Sequence, residues 1–254
     1  MRLALFFAFV FGISVVVQGQ VEPEKDKIQN IKTPDFVLAF TKTAGYRHKS
    51  IEKGVHTLRQ LGRKNNFIVL QTETSEDFNP QNLKNYKLVV FLSTTQDVLN
   101  NQQQRAFENY IKGGGSFLGI HAAADTEYNW AWYGRLVGGY FESHPNDPNV
   151  RKAKIDVISK EHPSTSHLPN NWTRSDEWYN YKNINPNLKV LLNLDENSYE
   201  GGTNGKNHPI AWYHEFDGGR AYYTGGGHTE ESFDEPDFRK HLLGAISWCL
   251  GRTE

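Results

Sequence analysis

His121 and His228 are the side chains whose neighbours best equip them for chemistry. The segment Gly113-Gly114-Gly115-Ser116-Phe117-Leu118-Gly119-Ile120-His121 reads as a helix stop and a short apolar strand, and Ala122-Ala123-Ala124-Asp125 continues it as a tight turn through small residues. That is the layout of a nucleophile elbow, which thrusts one side chain out at the end of a sheet. An imidazole at the elbow does not form an acyl-enzyme in the way a Ser or Cys does, but it transfers protons or binds a metal. Asp125, four residues on, is a candidate to orient His121 or to contact ligand; its alternative role is the N-cap of a helix beginning near Tyr128. His228 follows Gly225-Gly226-Gly227, a run that permits close backbone approach to a ligand or a tight turn. Glu230, two residues later, is placed to hold an imidazole tautomer.

Two further segments carry reactive types. Tyr46-Arg47-His48 lies in a polar loop, where Arg47 suits an anionic or hydroxyl-rich ligand or else an ion pair at the rim. Asp176-Glu177-Trp178-Tyr179 joins two carboxylates to two aromatics. Carbohydrate pockets use that mixture, acids for ring hydroxyls or proton transfer and flat rings for apolar sugar faces; the alternative is a plain strand with one acid pointing out. The candidate catalytic residues are therefore His121, His228, Asp125 and Glu177. Tyr46, Arg47, His48, Asp176, Trp178, Tyr179, Thr229 and Glu230 are the candidate substrate contacts. His121 and His228 are also candidate ligands of a zinc-like divalent ion, although no close-spaced signature such as His-Glu-x-x-His is present. His144-Pro145 and His208-Pro209 read as turn-to-strand transitions whose His can still face a cleft.

The elements that must position these residues are legible in part. Phe36–Phe40, Phe67–Leu70, Leu88–Leu92 and Phe117–Ile120 are apolar runs of the kind buried in a parallel sheet. Between them, Ile51, Val55, Leu58 and Leu61 fall at helical spacing, and Asn100–Lys112 is a helix stopped by glycines. This alternation predicts an α/β fold with a doubly wound, mostly parallel sheet and flanking helices. Past residue 140 the strands 154–158, 189–194 and 210–216 form a mixed region. Asp217-Gly218-Gly219 is a hairpin turn into 220–224, and Pro236 opens a last helix. Ligands of such sheets bind beyond the carboxyl ends of the strands, where the loops bearing Tyr46–His48, Ser93–Asp97, His121–Asp125 and His228–Glu230 converge.

Composition sets the outer bounds. The formal net charge of −1 gives no footprint for nucleic acid. An apolar run from Leu3 to Val17 after Arg2 predicts a signal peptide over residues 1–19, followed by a polar linker over 20–34 and one domain over 35–252. No stable membrane span is expected after cleavage, and the expected location is the bacterial periplasm or exterior. The single Cys249 falls in the pattern of the last helix as a small core residue and forms no intramolecular disulfide.

Taken together, Thr43-Ala44-Gly45-Tyr46-Arg47-His48, Gly119–Asp125, Asp176–Tyr179, His208-Pro209-Ile210-Ala211-Trp212 and Tyr223–Thr229 resemble the ThuA-like, trehalose-utilisation family, over about residues 35–252. The resemblance implies a class I glutamine amidotransferase-like, flavodoxin-like fold and a role in carbohydrate metabolism. The wider superfamily places a catalytic Cys at the elbow and a His-x-Glu late in the chain. His228-Thr229-Glu230 matches the second element, but His121 stands where the Cys would be. Without that thiolate, glutaminase and cysteine-peptidase activities are not expected. The expected function is an exported enzyme acting on a glycoside, disaccharide or keto-sugar derivative by hydrolysis, elimination or isomerisation, with or without metal assistance. The alternative is a non-catalytic carbohydrate-binding protein on a degenerate amidotransferase scaffold. A partner-binding module would call for an exposed apolar patch that the sequence does not offer.

Overall fold

A computed structural model describes residues 33–252. The expected signal segment, and all but the last two residues of the expected linker, lie outside the described residues. Five strands alternate with helices at first: β1 (Asp35–Phe40), α1 (Ile51–Lys64), β2 (Phe67–Thr72), the short α2 (Pro80–Leu83), β3 (Leu88–Leu92), α3 (Asn101–Lys112), β4 (Ser116–Ile120), α4 (Ala131–Val137) and β5 (Tyr140–Ser143). The remainder is mainly β: β6 (Val150–Val157), β7 (Asn171–Glu177), β8 (Asn180–Lys182), β9 (Lys189–Asp195), β10 (Pro209–Phe216), β11 (Gly219–Thr224), and finally α5 (Pro236–Cys249).

Nine strands form one sheet in the order β2-β1-β3-β4-β11-β10-β9-β6-β7. The first five of that order are mutually parallel, which is the flavodoxin-like arrangement with its reversal of strand order between β1 and β3. From β11 outward every pairing is antiparallel, and β5 and β8 pair separately. The architecture is thus the expected α/β one, with a large antiparallel wing where the sequence reads as mixed.

Local chemistry accounts for the elements. Asn100 accepts from the backbone N–H of Gln102 and Gln103, and the Gln103 side chain accepts from Asn100 N, a capping box that starts α3. Gly113 ends α3, as the glycine triplet predicts. β3 and β4 are buried along their whole length. β1 is buried from Val37 to Phe40, but Phe36 is 38% exposed. β2 is the edge strand, so Ile68 and Leu70 keep one face toward solvent. Phe40, Phe78, Phe91, Phe107 and Phe117 interlock as edge-on and stacked rings under α3, an arrangement that adds orientation to apolar burial. α1 packs beside α5 on the other face. Among the described residues no helix is long and apolar enough to cross a membrane.

Candidate active site

The strand β4 ends in a turn that forces an uncommon conformation. His121 has φ of 51°, in the left-handed region that non-glycine residues seldom occupy. A short 3-10 turn, His121–Asp125, follows it in place of a regular helix. Two bonds hold the strained residue: Tyr223 OH donates to His121 O at 2.8 Å, and His121 Nδ1 donates to the Gly225 carbonyl at 3.0 Å. The second bond fixes the tautomer and leaves His121 Nε2 with its lone pair.

That lone pair faces two other side chains. His121 Nε2 lies 3.3 Å from Glu177 Oε2 and 3.3 Å from His228 Nδ1, and His228 Nδ1 lies 3.0 Å from the same Glu177 oxygen. His48 packs edge-on against both imidazoles, with ring centres 4.8 Å from His121 and 5.2 Å from His228. Its Nδ1 is buried without a hydrogen-bond partner. One ligand-capable atom from each of His48, His121, Glu177 and His228 lies within 4.8 Å of the rest.

The group borders a cavity of about 260 Å³ lined by Tyr46, His48, Asp125, Phe141, His144, Asn149, Glu177, Tyr179 and His228. His121 itself is fully buried and touches His48, Glu177, Tyr179 and His228. A larger depression of about 1030 Å³ sits at the opposite ends of β3, β4 and β11, around Lys87, Gly115 and Gly219. The smaller cavity is the candidate because it lies beyond the carboxyl ends of the parallel strands, where this fold binds ligands.

Glu177 reaches this place from the far edge of the sheet. The antiparallel wing curls round so that the end of β7 meets the glycine loop after β11, and the neighbouring carboxylate fastens it there. Asp176 Oδ2 accepts from Gly227 N at 2.8 Å, Ser232 Oγ at 3.0 Å and Arg174 Nη1 at 2.8 Å. Its Oδ1 accepts from Glu177 N and His228 N, both at 3.0 Å. The loop must be glycine there: a Cβ on Gly226 would lie 2.6 Å from Arg174 Nη1, and Gly227 has φ of 110°.

Environment sets protonation. Burial raises Glu177, but the neighbouring imidazoles of His121 and His228 outweigh it and hold the carboxyl well below the usual carboxylate range. Burial pushes Asp125 upward, against hydrogen bonds from Tyr128 and Gln96. His48 is lowered to about 2, chiefly by burial and then by the neighbouring imidazoles.

The sequence candidates fall into three groups. His48, His121, Glu177, Tyr179, His228, Asp125 and Tyr46 meet at or beside the cavity. Asp176 and Trp178 lie behind it: Asp176 holds the glycine loop, and Trp178 Nε1 donates to Arg151 O under the Arg174 guanidinium. Arg47, Thr229 and Glu230 point elsewhere. Arg47 pairs with Glu52 and Glu73 at the rim, and the Thr229 hydroxyl caps the turn at Ser232. Glu230 is exposed, so the expected tautomer-holding carboxylate of His228 is Glu177 instead. Asp125 neither caps a helix nor orients His121; its Oδ1 accepts from Tyr128 OH and Gln96 Nε2. Asn149 was not a sequence candidate. Its Nδ2 donates to Glu177 Oε1 at 2.6 Å, in a long connection whose only nearby signal is His144-Pro145. His208 braces the wall from behind, with Nε2 2.7 Å from the Tyr179 carbonyl.

Comparison with known proteins agrees with this architecture. The family model for ThuA, described as trehalose utilisation, matches residues 36–249. A ThuA-like protein from Bacteroides uniformis is 24% identical, with a TM-score of 0.73 over 86% of this chain and 92% of that one. A ThuA-like protein from Parabacteroides merdae is 20% identical, with a TM-score of 0.69 over 87% and 92% of the two chains. A β-galactosidase from Bacillus circulans shares the fold at 13% identity and a TM-score of 0.56, over 86% of this chain and 31% of that larger one. No curated protein matches the chain. The chain belongs to the ThuA family.

Proposed function

We propose that this ThuA-family chain is a carbohydrate-active enzyme acting on a glycoside, disaccharide or keto-sugar derivative in the cavity over β4 and β11. The carrying observation is that the Asp125 carboxyl and a tight imidazole–carboxylate cluster border one aromatic-walled cavity. The family description, trehalose utilisation, supports a carbohydrate role. Tyr46 and Phe141 line the cavity with aromatic rings suited to a sugar, and Tyr179 packs behind Phe141.

A keto-sugar fits the groups available. Removal of the proton beside a carbonyl needs one base and one group that stabilises the developing oxyanion. Within the His121–Glu177–His228 cluster, His228 lines the cavity and is the group that donates to the developing oxyanion, its Nδ1 3.0 Å from Glu177 Oε2. His144 is the base: its Nδ1 donates to Pro145 O at 2.8 Å, and its Nε2, 3.7 Å from Glu177 Oε1, is the nitrogen that accepts the proton. Asp125, whose pKa burial pushes upward, is the acid placed to give a proton to the departing glycosidic oxygen. The C–H electron pair forms the enolate; its collapse restores the carbonyl and makes a C=C bond, and the C–O pair leaves on the glycosidic oxygen, which takes the proton from Asp125.

The test is turnover on a panel of disaccharides and their keto derivatives with wild type, His228→Ala and Asp125→Asn. Loss of about 10²–10⁴-fold in kcat for either variant supports the reading. Unchanged turnover overturns it, and sugar binding without turnover in wild type replaces it with a binding role. We further propose export, on the apolar run after Arg2. The purified extracytoplasmic protein then begins at Gln20; a chain still carrying Met1 contradicts this.

A further inference from the structure

The three closest atoms of the cluster present more lone pairs than protons. With Nδ1 committed to the Gly225 carbonyl, neutral His121 turns a bare Nε2 toward Glu177 Oε2 at 3.3 Å. His228 Nδ1 carries at most one proton to share between them. A carboxylate oxygen and two imidazole nitrogens at this spacing suit a cation. Bond lengths of about 2.0–2.1 Å to a divalent transition ion, at angles of roughly 90° to 109°, place neighbouring ligand atoms about 2.8–3.4 Å apart. The separations here are 3.0, 3.3 and 3.3 Å.

We propose that His121 Nε2, His228 Nδ1, Glu177 Oε2 and His48 bind one zinc-like divalent transition-metal ion at the floor of the cavity. Imidazole with a single carboxylate selects ions of the zinc, iron or nickel type over magnesium or calcium, which need an oxygen cage. His48 is the fourth donor: its Nδ1 is buried without a partner, and one of its ring nitrogens lies within 4.8 Å of the other three donor atoms. The supports that such sites require surround it. The Gly225 carbonyl orients His121, and Asn149 Nδ2 holds the second oxygen of Glu177 at 2.6 Å. Three of the four donors, His48, Glu177 and His228, line the cavity, so an ion held there faces its contents. The ion would take the oxyanion-stabilising role assigned above to His228. The proposal rests on that reading for its place in catalysis and not for the binding itself.

The experiment is metal titration of the full chain after chelator treatment, followed by calorimetry and elemental analysis. Zn²⁺ and Co²⁺ are the probes, and Mg²⁺ and Ca²⁺ the controls. One ion of Zn²⁺ or Co²⁺ per chain is expected, with a visible Co²⁺ absorption band and a raised Tm. Asn149→Ala, which removes an outer support, weakens binding roughly 10–100-fold. His228→Ala and Glu177→Gln weaken it further, with native circular dichroism retained as the check on folding. Failure of Zn²⁺ and Co²⁺ to bind, or binding indifferent to His228→Ala and Glu177→Gln, overturns the proposal. Sugar turnover that survives chelation, with no ion bound, defeats the metal and leaves the enzyme. An ion bound without sugar turnover does the reverse.

Discussion

Replacing Asp176 with Asn tests how the cavity is assembled. Asp176 is fully buried and accepts from Arg174, Ser232 and three backbone N–H groups. The Asn side chain keeps one acceptor oxygen and turns an NH₂ toward donors on the other side, whichever way it is flipped. Arg174 is also buried, with Glu235 as its remaining carboxylate. Removing one member of a buried ion pair costs about 3–5 kcal/mol, mostly from the charge left behind. For a domain of this size each kcal/mol moves Tm by roughly 2–4 °C, so Asp176→Asn lowers Tm on the order of 6–20 °C. The fall is expected in thermal unfolding by circular dichroism. Because Gly227 N and His228 N hang from this carboxylate, sugar turnover falls in the folded fraction as well. Adding Arg174→Met removes the orphaned charge, so the double variant loses less than the sum of the singles. A Tm within about 2 °C of wild type would refute the claim that this buried pair holds the glycine loop.

Stability also depends on pH through histidines remote from the cavity. Burial lowers His162 to about 4 and His241 to about 3. Both folded values lie below the unfolded value of about 6.5, so the unfolded chain binds more protons under acid conditions. Tm is therefore at its plateau above about pH 6.5 and falls as pH drops toward 4, with a shallower fall in His241→Gln; a flat profile from pH 7 to 4.5 contradicts this. Gly244→Ala reverses the usual helix preference. A Cβ there would lie 2.4 Å from the backbone of Pro163, so the change destabilises by about 1–3 kcal/mol in urea unfolding instead of gaining the roughly 1 kcal/mol of an exposed helix. Asp125→Asn keeps its place beside Tyr128 and Gln96 while losing the transferable proton, so kcat falls with KM little changed; an equal rise in KM would make Asp125 a binding group.

The parallel half of the fold was legible because its signals are local. The apolar runs of β1, β3 and β4 and the glycine triplet that stops α3 each fit within a few residues. The same holds for His121, whose small neighbours mark a tight turn, and for His228 after its glycines. The division of labour between Asp176 and Glu177 was not legible in the reading of their types alone. A signal was present: Arg174 and Asp176 alternate on one face of β7, which marks Asp176 as half of a buried pair and turns Glu177 to the other side. Asn149 and Phe141 left no such trace, because long-range folding of the connections around β5 and β6 brings them in. The curl that carries the β7 end to the glycine loop is likewise a property of the whole wing. Arg47 and Glu230 illustrate the converse, reactive types next to real site residues whose side chains turn to the rim or to solvent.

The most direct measurement is a crystal structure of His228→Ala soaked with a keto-disaccharide. The account predicts a sugar ring against Tyr46 and Phe141, with its carbonyl oxygen turned toward the place of the His228 ring and its glycosidic oxygen within reach of Asp125. A sugar seated instead in the depression around Gly115 and Gly219, or a cavity that stays free of sugar at saturating concentration, would contradict it.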